Sequence, residues 1–245
     1  MAAAEVTLRE NALICGTAWF EEAFRQLDPA IDVAWTCRDG DRLTGGIRVC
    51  SLKGNARAIL TGERTALNFL QTLSGTATVA AQFVDAVAGT GAIVLDTRKS
   101  IPGLRKAQKY AVRCGGASNH RIGLFDAILI KENHILALGS IDAAITAARA
   151  AAGEVLVEVE VESMAQVERA LNSSADRLLL DNFSREMLQT AVELRDRQQP
   201  DKKLEASGGI TLENIRDIAK TGVDYISVGL MTKSVNAVDF SLRIV

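Results

Sequence analysis

The sequence lacks an excess of either charge: 28 Lys and Arg stand against 30 Asp and Glu over 245 residues. Such a balance produces no global field toward nucleic acid or an anionic membrane, so neither is an expected partner, and any cationic site must be local. Cysteine is scarce. Cys15, Cys37, Cys50 and Cys114 form no C-x-x-C pair and have no histidine at metal-ligand spacing, which argues against a zinc centre. They read as packing residues, with Cys114 beside Gly115-Gly116 the one that has a nucleophile as its alternative reading. Free thiols fit a reducing, cytoplasmic setting. No run approaches the roughly eighteen consecutive apolar residues of a membrane span. Glu5, Arg9 and Glu10 interrupt the start before any apolar run develops, unlike a signal peptide. Low-complexity tracts are absent too.

What is present is a series of six short apolar runs, each running into charged, hydroxyl or glycine residues. Ile93-Val94-Leu95 precedes Asp96-Thr97-Arg98-Lys99, and Ala127 to Ile130 precedes Lys131-Glu132-Asn133-His134. Val155 to Val159 leads to Glu160, Leu178 to Leu180 leads to Asp181-Asn182, Leu204-Glu205-Ala206 to Ser207-Gly208-Gly209, and Tyr225 to Val228 to Gly229. Runs this short, rich in β-branched residues and separated by helix-length segments, read as buried parallel strands joined by crossover helices. The tips are spaced by 21 (Glu160 to Asp181) to 35 residues (Asp96 to Lys131), room for one helix and its loops. Six units fall short of a complete eight-fold barrel, so the expected fold is α/β with an open, incomplete barrel of TIM-like type; a doubly wound sheet is the alternative.

The first part of the chain differs. Asn11 to Cys15, Ile31 to Thr36 and Ile47 to Leu52 read as strands, and Thr17 to Leu27 as a helix with Phe20, Phe24 and Leu27 on one face. Together they predict a small α/β sandwich domain over residues 1–67, with 235–245 a candidate to join it, ahead of a catalytic barrel over 68–234. Thr61 is a candidate cap for a helix running to about Leu73, where Ser74-Gly75 either ends the helix or marks a packing point before Ala77 to Val87. Lys106, Lys109, Tyr110 and Arg113 read as mostly solvated helix surface.

Ligands of α/β folds sit at the carboxyl ends of the strands. Arg98, Lys99, His120, Arg121 and Lys131 would there make a cationic pocket for a substrate with more than one negative charge, the alternative being local pairing with Asp96, Asp126 or Glu132. Glu158, Glu160 and Glu162 alternate with valines and share one side of a strand, toward a barrel interior or, alternatively, a solvated edge. Glu160 with Asp181 could hold Mg²⁺ on a diphosphate or offset a developing oxocarbenium ion. Ser207-Gly208-Gly209 and Gly229 suit phosphate, because glycine lets backbone N–H groups approach its oxygens. His134 reads as a residue that orients a neighbour.

The motifs Thr61 to Asn68, Leu95-Asp96-Thr97-Arg98-Lys99, Tyr110 to Gly116, Asn119-His120-Arg121, Leu129 to His134, Val157 to Glu162, Leu180 to Phe183 and Ser207-Gly208-Gly209 together resemble the quinolinate phosphoribosyltransferase family, in order and over nearly the whole chain. The resemblance implies an enzyme of NAD biosynthesis, a pentosyltransferase. Such an enzyme joins quinolinate to 5-phosphoribosyl 1-diphosphate and loses one carboxylate as CO₂, giving nicotinate mononucleotide and diphosphate. It implies a homodimer with shared sites, Mg²⁺ with the sugar diphosphate, and no organic cofactor. Thr97, Arg98, Lys99, His120, Arg121 and Lys131 would receive quinolinate, with Lys99 and Lys131 catalytic. Arg64 would reach the partner's site. Glu160 and Asp181 would serve the ribose and Mg²⁺–diphosphate end. Ser207, Gly208 and Gly209, with Val228, Gly229 and Leu230, would take the 5′-phosphate. The chain departs from the family in a shorter stretch before Arg9 and in Ser100, where threonine is usual. Alternatives are a pyrophosphorylase-like paralogue of molybdate-uptake operons and a non-catalytic nucleotide sensor.

Overall fold

The computed structural model describes residues 1–245. In chain order, β1 (Ala2–Leu8), β2 (Ala12–Leu13), α1 (Thr17–Arg25), β3 (Asp32–Trp35), β4 (Arg42–Leu43) and β5 (Arg48–Gly54) lead to the long α2 (Ala56–Ala86). There follow β6 (Ile93–Leu95), α3 (Arg105–Cys114), β7 (Ala127–Ile130), α4 (Glu132–Leu138), α5 (Ile141–Ala152), β8 (Leu156–Val161) and α6 (Met164–Leu171). The chain closes with β9 (Arg177–Asp181), α7 (Arg185–Gln198), β10 (Lys203–Ser207), α8 (Ile215–Ala219), β11 (Tyr225–Ser227), α9 (Leu230–Lys233) and β12 (Phe240–Ile244). It divides into two compact units: Met1–Gln82 with Ser100–Ala117 and Met231–Val245, and Phe83–Lys99 with Ser118–Leu230.

The first unit is built on an antiparallel sheet ordered β12-β1-β5-β3, with β2 and β4 as a small separate ribbon. In β1 the alternation Ala4, Val6, Leu8 is fully buried while Ala3, Glu5 and Thr7 are not, the period-2 pattern of a one-sided sheet. Phe20 and Phe24 of α1 bury into the same core, each contributing about 1.5–3 kcal/mol. Leu27 does not join them, because α1 ends at Arg25 and leaves that side chain exposed.

The helix α2 starts earlier and runs further than the sequence suggests. Asn55 caps it: its Oδ1 accepts from the Arg57 N–H at 2.9 Å and its carbonyl from the Ile59 N–H at 3.0 Å. Thr61 lies inside the helix and donates back to the Arg57 carbonyl. Ser74-Gly75 is a packing point, not an end. The Ser74 hydroxyl bonds both the N–H and the carbonyl of Cys15 (3.0 and 3.1 Å), and a Cβ on Gly75 would stand 2.1 Å from the Asn236 carbonyl oxygen. Only glycine admits the returning chain there.

The units therefore divide elsewhere than at residue 67. The first unit instead carries on along α2 to Gln82, and Ala107 and Ala111 of α3 pack with Leu13, Cys15, Leu73 and Ala77. The 235–245 stretch lies with the small unit, where β12 pairs with β1. Nor is α3 mostly solvated. Lys106 and Arg113 are exposed, but Gln108 and Lys109 are buried, and the Tyr110 hydroxyl donates to Asp39 Oδ2 at 2.9 Å.

The second unit is a six-stranded, all-parallel sheet ordered β6-β11-β10-β9-β8-β7. Edge strands β6 and β7 do not pair with each other, so the barrel is open. One face is apolar (Val157, Val159, Val161, Leu178, Leu180, Leu204, Ala206, Ile226, all buried), as strands covered by helices require. The opposite parity carries Glu158, Glu160, Arg177, Glu205 and Ser227. Ser140, Ser163 and Ser184 cap α5, α6 and α7 through side-chain oxygens that accept from the third following N–H. No single helix is long and apolar enough to cross a membrane.

Candidate active site

The carboxyl ends of β8, β9 and β10 lie side by side. Ser207 registers with Asp181, and the Asn182 N–H donates to the Ser207 carbonyl at 2.8 Å. Glu160 is the penultimate residue of β8 rather than its tip. Carboxylate oxygens of Glu160, Glu162 and Asp181 lie within 4.8 Å of one another. Lys131, just past β7, places Nζ 2.9 Å from Glu160 Oε2. Along β8 the acids form a depth series: Glu158 is 1% exposed, Glu160 is 10% exposed and Glu162 is open to solvent.

The glycine turn is sterically locked. Asn182 is the one non-glycine residue with positive φ (56°), and its side chain packs against Gly208, where φ is +97° and a Cβ would lie 2.1 Å from Asn182 Oδ1. Asn214 closes the turn behind it, accepting from the Thr211 N–H and donating to the Gly209 carbonyl, both at 2.9 Å. Val228-Gly229-Leu230 leaves β11 beside β6, where the Val228 N–H donates to the Leu95 carbonyl at 2.8 Å. Thr97 Oγ1 accepts from the Lys99 N–H.

Segment 118–121 runs alongside β6. Ser118 bridges Leu95 in parallel fashion, and fully buried Asp96 fixes the rest, accepting from Asn119 Nδ2 (2.7 Å) and the His120 N–H (2.8 Å). Of the three acids considered as rim partners, Asp96 holds the segment in this way, Asp126 accepts from the Ile122 and Gly123 N–H groups (2.6 and 3.1 Å), and Glu132 accepts from Asn133 Nδ2 at 3.0 Å. Arg121 stands near Arg98. Burial first, then the Arg98 charge, pulls its guanidinium below its ordinary value, against the opposing pull of Glu158 and Asp126. Arg121 also lines a pocket of about 280 Å³ with His120, Asp126, Glu158 and Arg177.

His120 turns inward. Its Nε2 lies 3.0 Å from Glu158 Oε2 and 3.4 Å from Glu205 Oε1, while Nδ1 faces the Arg121 N–H at 2.8 Å. Arg177 completes the cluster, with Nη1 3.0 Å from Glu205 Oε2 and its guanidinium 4.0 Å over the Tyr225 ring; Ser227 donates to Glu205 Oε1. Burial opposes a charge on His120, but the two carboxylates outweigh it and carry the imidazole up to about 9. Charging the ring costs the Nδ1 contact to Arg121, about 1 kcal/mol. Attraction to a carboxylate near 4 Å, about 4 kcal/mol at an effective dielectric of 20, exceeds that loss. Burial and the neighbouring Glu205 push Glu158 up to about 7; burial also opposes ionisation of Glu205, yet His120, Ser227 and Arg177 hold it below the usual carboxylate range.

Sequence reasoning missed Arg177, at the head of the Leu178–Leu180 run, and Glu205, inside the Leu204–Ala206 run; their shared parity with Glu158 in neighbouring strands was the available signal. His134 orients a neighbour, its Nδ1 accepting from the Lys131 N–H at 2.9 Å. Arg64 lies in the first unit, exposed on α2.

An open parallel barrel whose strand ends gather cations, carboxylates and glycine turns is the architecture of an α/β-barrel enzyme. Residues 1–74 match the N-terminal domain of quinolinate phosphoribosyl transferase and residues 76–243 its C-terminal domain. The chain is 49% identical to the nicotinate-nucleotide pyrophosphorylase [carboxylating] of Mycobacterium leprae (strain TN), over 86% of this chain and 74% of the relative. It is 41% identical to a probable enzyme of the same name from Bacillus subtilis (strain 168), over 98% and 83%. The structure of the nicotinate-nucleotide pyrophosphorylase from Francisella tularensis superposes with a TM-score of 0.95 at 47% identity, covering 100% of this chain and 86% of that one. The chain belongs to the quinolinate phosphoribosyltransferase family.

Proposed function

We infer that the chain is a carboxylating pentosyltransferase of NAD biosynthesis, joining quinolinate to 5-phosphoribosyl 1-diphosphate and releasing CO₂ and diphosphate to leave nicotinate mononucleotide. The observation that carries the site assignment is the Lys131–Glu160 pair beside Asp181 and the locked glycine turn, which brings cation, acid and phosphate chemistry to adjacent strand ends.

Arg98, Lys99, Arg121 and Lys131, with Thr97 and His120, take the two carboxylates of quinolinate; Lys99 and Lys131 also serve the chemistry. Ser207, Gly208 and Gly209, with Val228, Gly229 and Leu230, hold the 5′-phosphate through backbone N–H groups. As the diphosphate leaves C1 of the ribose, positive charge builds on the sugar and Glu160 and Asp181 offset it. The quinolinate nitrogen attacks that carbon. The ring nitrogen, now cationic, accepts the electron pair of the C–CO₂ bond as CO₂ departs, so no organic cofactor is required.

Glu160, Glu162 and Asp181 offer hard oxygen donors within 4.8 Å of one another, a set suited to Mg²⁺. When bound, the ion neutralises charge on the diphosphate. Arg64, exposed on α2, is proposed to complete the site of a second copy in a homodimer with shared sites. Four free cysteines fit work in the reducing cytoplasm.

The test is product analysis after incubation with quinolinate, the sugar diphosphate and Mg²⁺. Nicotinate mononucleotide and diphosphate in equal amounts support the assignment; binding of the sugar diphosphate without turnover would replace it with a sensor. For the shared site, mixing an Arg64→Ala chain with a Lys131→Ala chain should restore part of the activity that each lacks alone, and no recovery in proven mixed dimers would remove Arg64 from the site.

A further inference from the structure

Two cysteines far apart in sequence meet in the first unit. The sulfurs of Cys15 and Cys114 and a carboxylate oxygen of Asp39 lie within 4.8 Å of one another. Cys15, just before α1, is fully buried, and its backbone is clamped on both sides by the Ser74 hydroxyl. Cys114, the last residue of α3, is half-buried. Asp39 is already committed: Oδ1 accepts from the Gly16 and Thr17 N–H groups (3.0 and 3.1 Å) and Oδ2 from the Tyr110 hydroxyl at 2.9 Å. A metal would have to displace those bonds, so the groups left for chemistry are the two sulfurs.

The two thiols are also unlike each other. The Cys15 S–H donates to Cys114; this contact, with help from the Tyr110 hydroxyl and the Arg113 charge and against burial and Asp39, brings Cys114 down to about 7. The same contact, with burial and the Asp39 charge, drives the Cys15 thiol far upward. Burial raises Cys37 to about 11 and pushes Cys50 up as well. A reachable sulfur that is a thiolate near neutral pH thus has a buried, protonated sulfur as its neighbour.

We propose that Cys15 and Cys114 form a peroxide-reactive dithiol, in which half-exposed Cys114 is the attacking sulfur and buried Cys15 the resolving one. The Cys114 thiolate attacks one oxygen of hydrogen peroxide, the O–O bond breaks, and the departing hydroxide takes a proton to leave as water, giving a sulfenic acid. The Cys15 sulfur then attacks the Cys114 sulfur. The S–O bond breaks and the second oxygen leaves as water with the Cys15 proton. Two thiols lose two electrons and the peroxide gains them. Rotation of the side chains closes the pair to the roughly 2.05 Å of a disulfide, tying the residue before α1 to the end of α3 within one unit.

The experiment treats the folded full-length protein with hydrogen peroxide, denatures and alkylates it, then counts thiols and maps peptides without reduction. The thiol count should fall from four to two, with one Cys15–Cys114 cross-linked peptide that dithiothreitol removes. Cys114 should react roughly a hundredfold faster than Cys37 near pH 7, since its larger thiolate fraction outweighs its lower intrinsic nucleophilicity. In Cys15→Ser, Cys114 should stop at a sulfenic acid that dimedone traps. Equal rates at all four cysteines, oxidation confined to Cys37 and Cys50, or over-oxidation of Cys114 without a cross-link would overturn the proposal. The wild-type arm needs no variant to fold.

Discussion

Two layers of the barrel use the same residue types for different ends. Deep inside, Glu158, Glu205, His120 and Arg177 oppose two acids to two bases with almost no solvent. One step nearer the mouth, Glu160, Glu162, Asp181 and Lys131 oppose three acids to one base, with Lys131 44% exposed. The inner layer nearly balances its own charge and is fixed by Ser227, Tyr225 and Asp96. In the outer layer the acids outnumber the lysine, and solvent or a ligand must make up the difference. Depth along the strands, two residues on β8, therefore separates an acid held among buried partners, Glu158, from one that can meet substrate, Glu160.

The largest expected effect lies in the inner layer. Glu205→Ala removes the carboxylate shared by Arg177, His120 and Ser227, and should cost about 3–5 kcal/mol of stability by urea unfolding, the usual penalty for stranding buried charge. A loss below about 1 kcal/mol would mean that this layer is not structural. Next, Lys131→Ala should lower kcat/KM for quinolinate by about 10²–10³-fold while leaving the melting midpoint nearly unchanged. If activity and stability fell together, the two layers would not be separable.

The pH dependence is smaller. His120 is raised from 6.5 to about 9 by Glu158 and Glu205, so its stabilising contribution is full below 6.5 and is lost as pH rises through 9. Stability should drop over that window by on the order of 1–3 kcal/mol, a drop that His120→Asn should flatten. Smallest is Gly208→Ala, whose Cβ must push Asn182 aside. It should raise KM for the sugar diphosphate by about tenfold, roughly 1.4 kcal/mol, with little change for quinolinate. Equal changes in both would detach the turn from the phosphate.

Much of this was legible in advance. The six apolar runs fall in the six parallel strands, and the charged and glycine residues read at their ends lie there except Glu160, one residue inside β8. The misses have physical causes. β1 begins with three alanines, which carry no β-branched signal, and it is held by pairing with β5 and β12 from distant sequence. Ser74-Gly75 looks like a helix stop, but the hydroxyl serves Cys15 and the missing Cβ admits Asn236. Arg177 opens β9 and Glu205 sits in the middle of β10, and only the strand order brings them to Glu158. His120 is placed there by Asp96, which accepts from its backbone N–H, a contact across 24 residues that no local pattern encodes.

The most direct measurement is CO₂ release from carboxyl-labelled quinolinate, run in parallel on the wild-type chain and on Lys131→Ala. Release should require both 5-phosphoribosyl 1-diphosphate and Mg²⁺ and should be nearly absent in the folded variant. Release without the sugar diphosphate, or undiminished release by Lys131→Ala, would contradict the assignment of the outer layer to the chemistry.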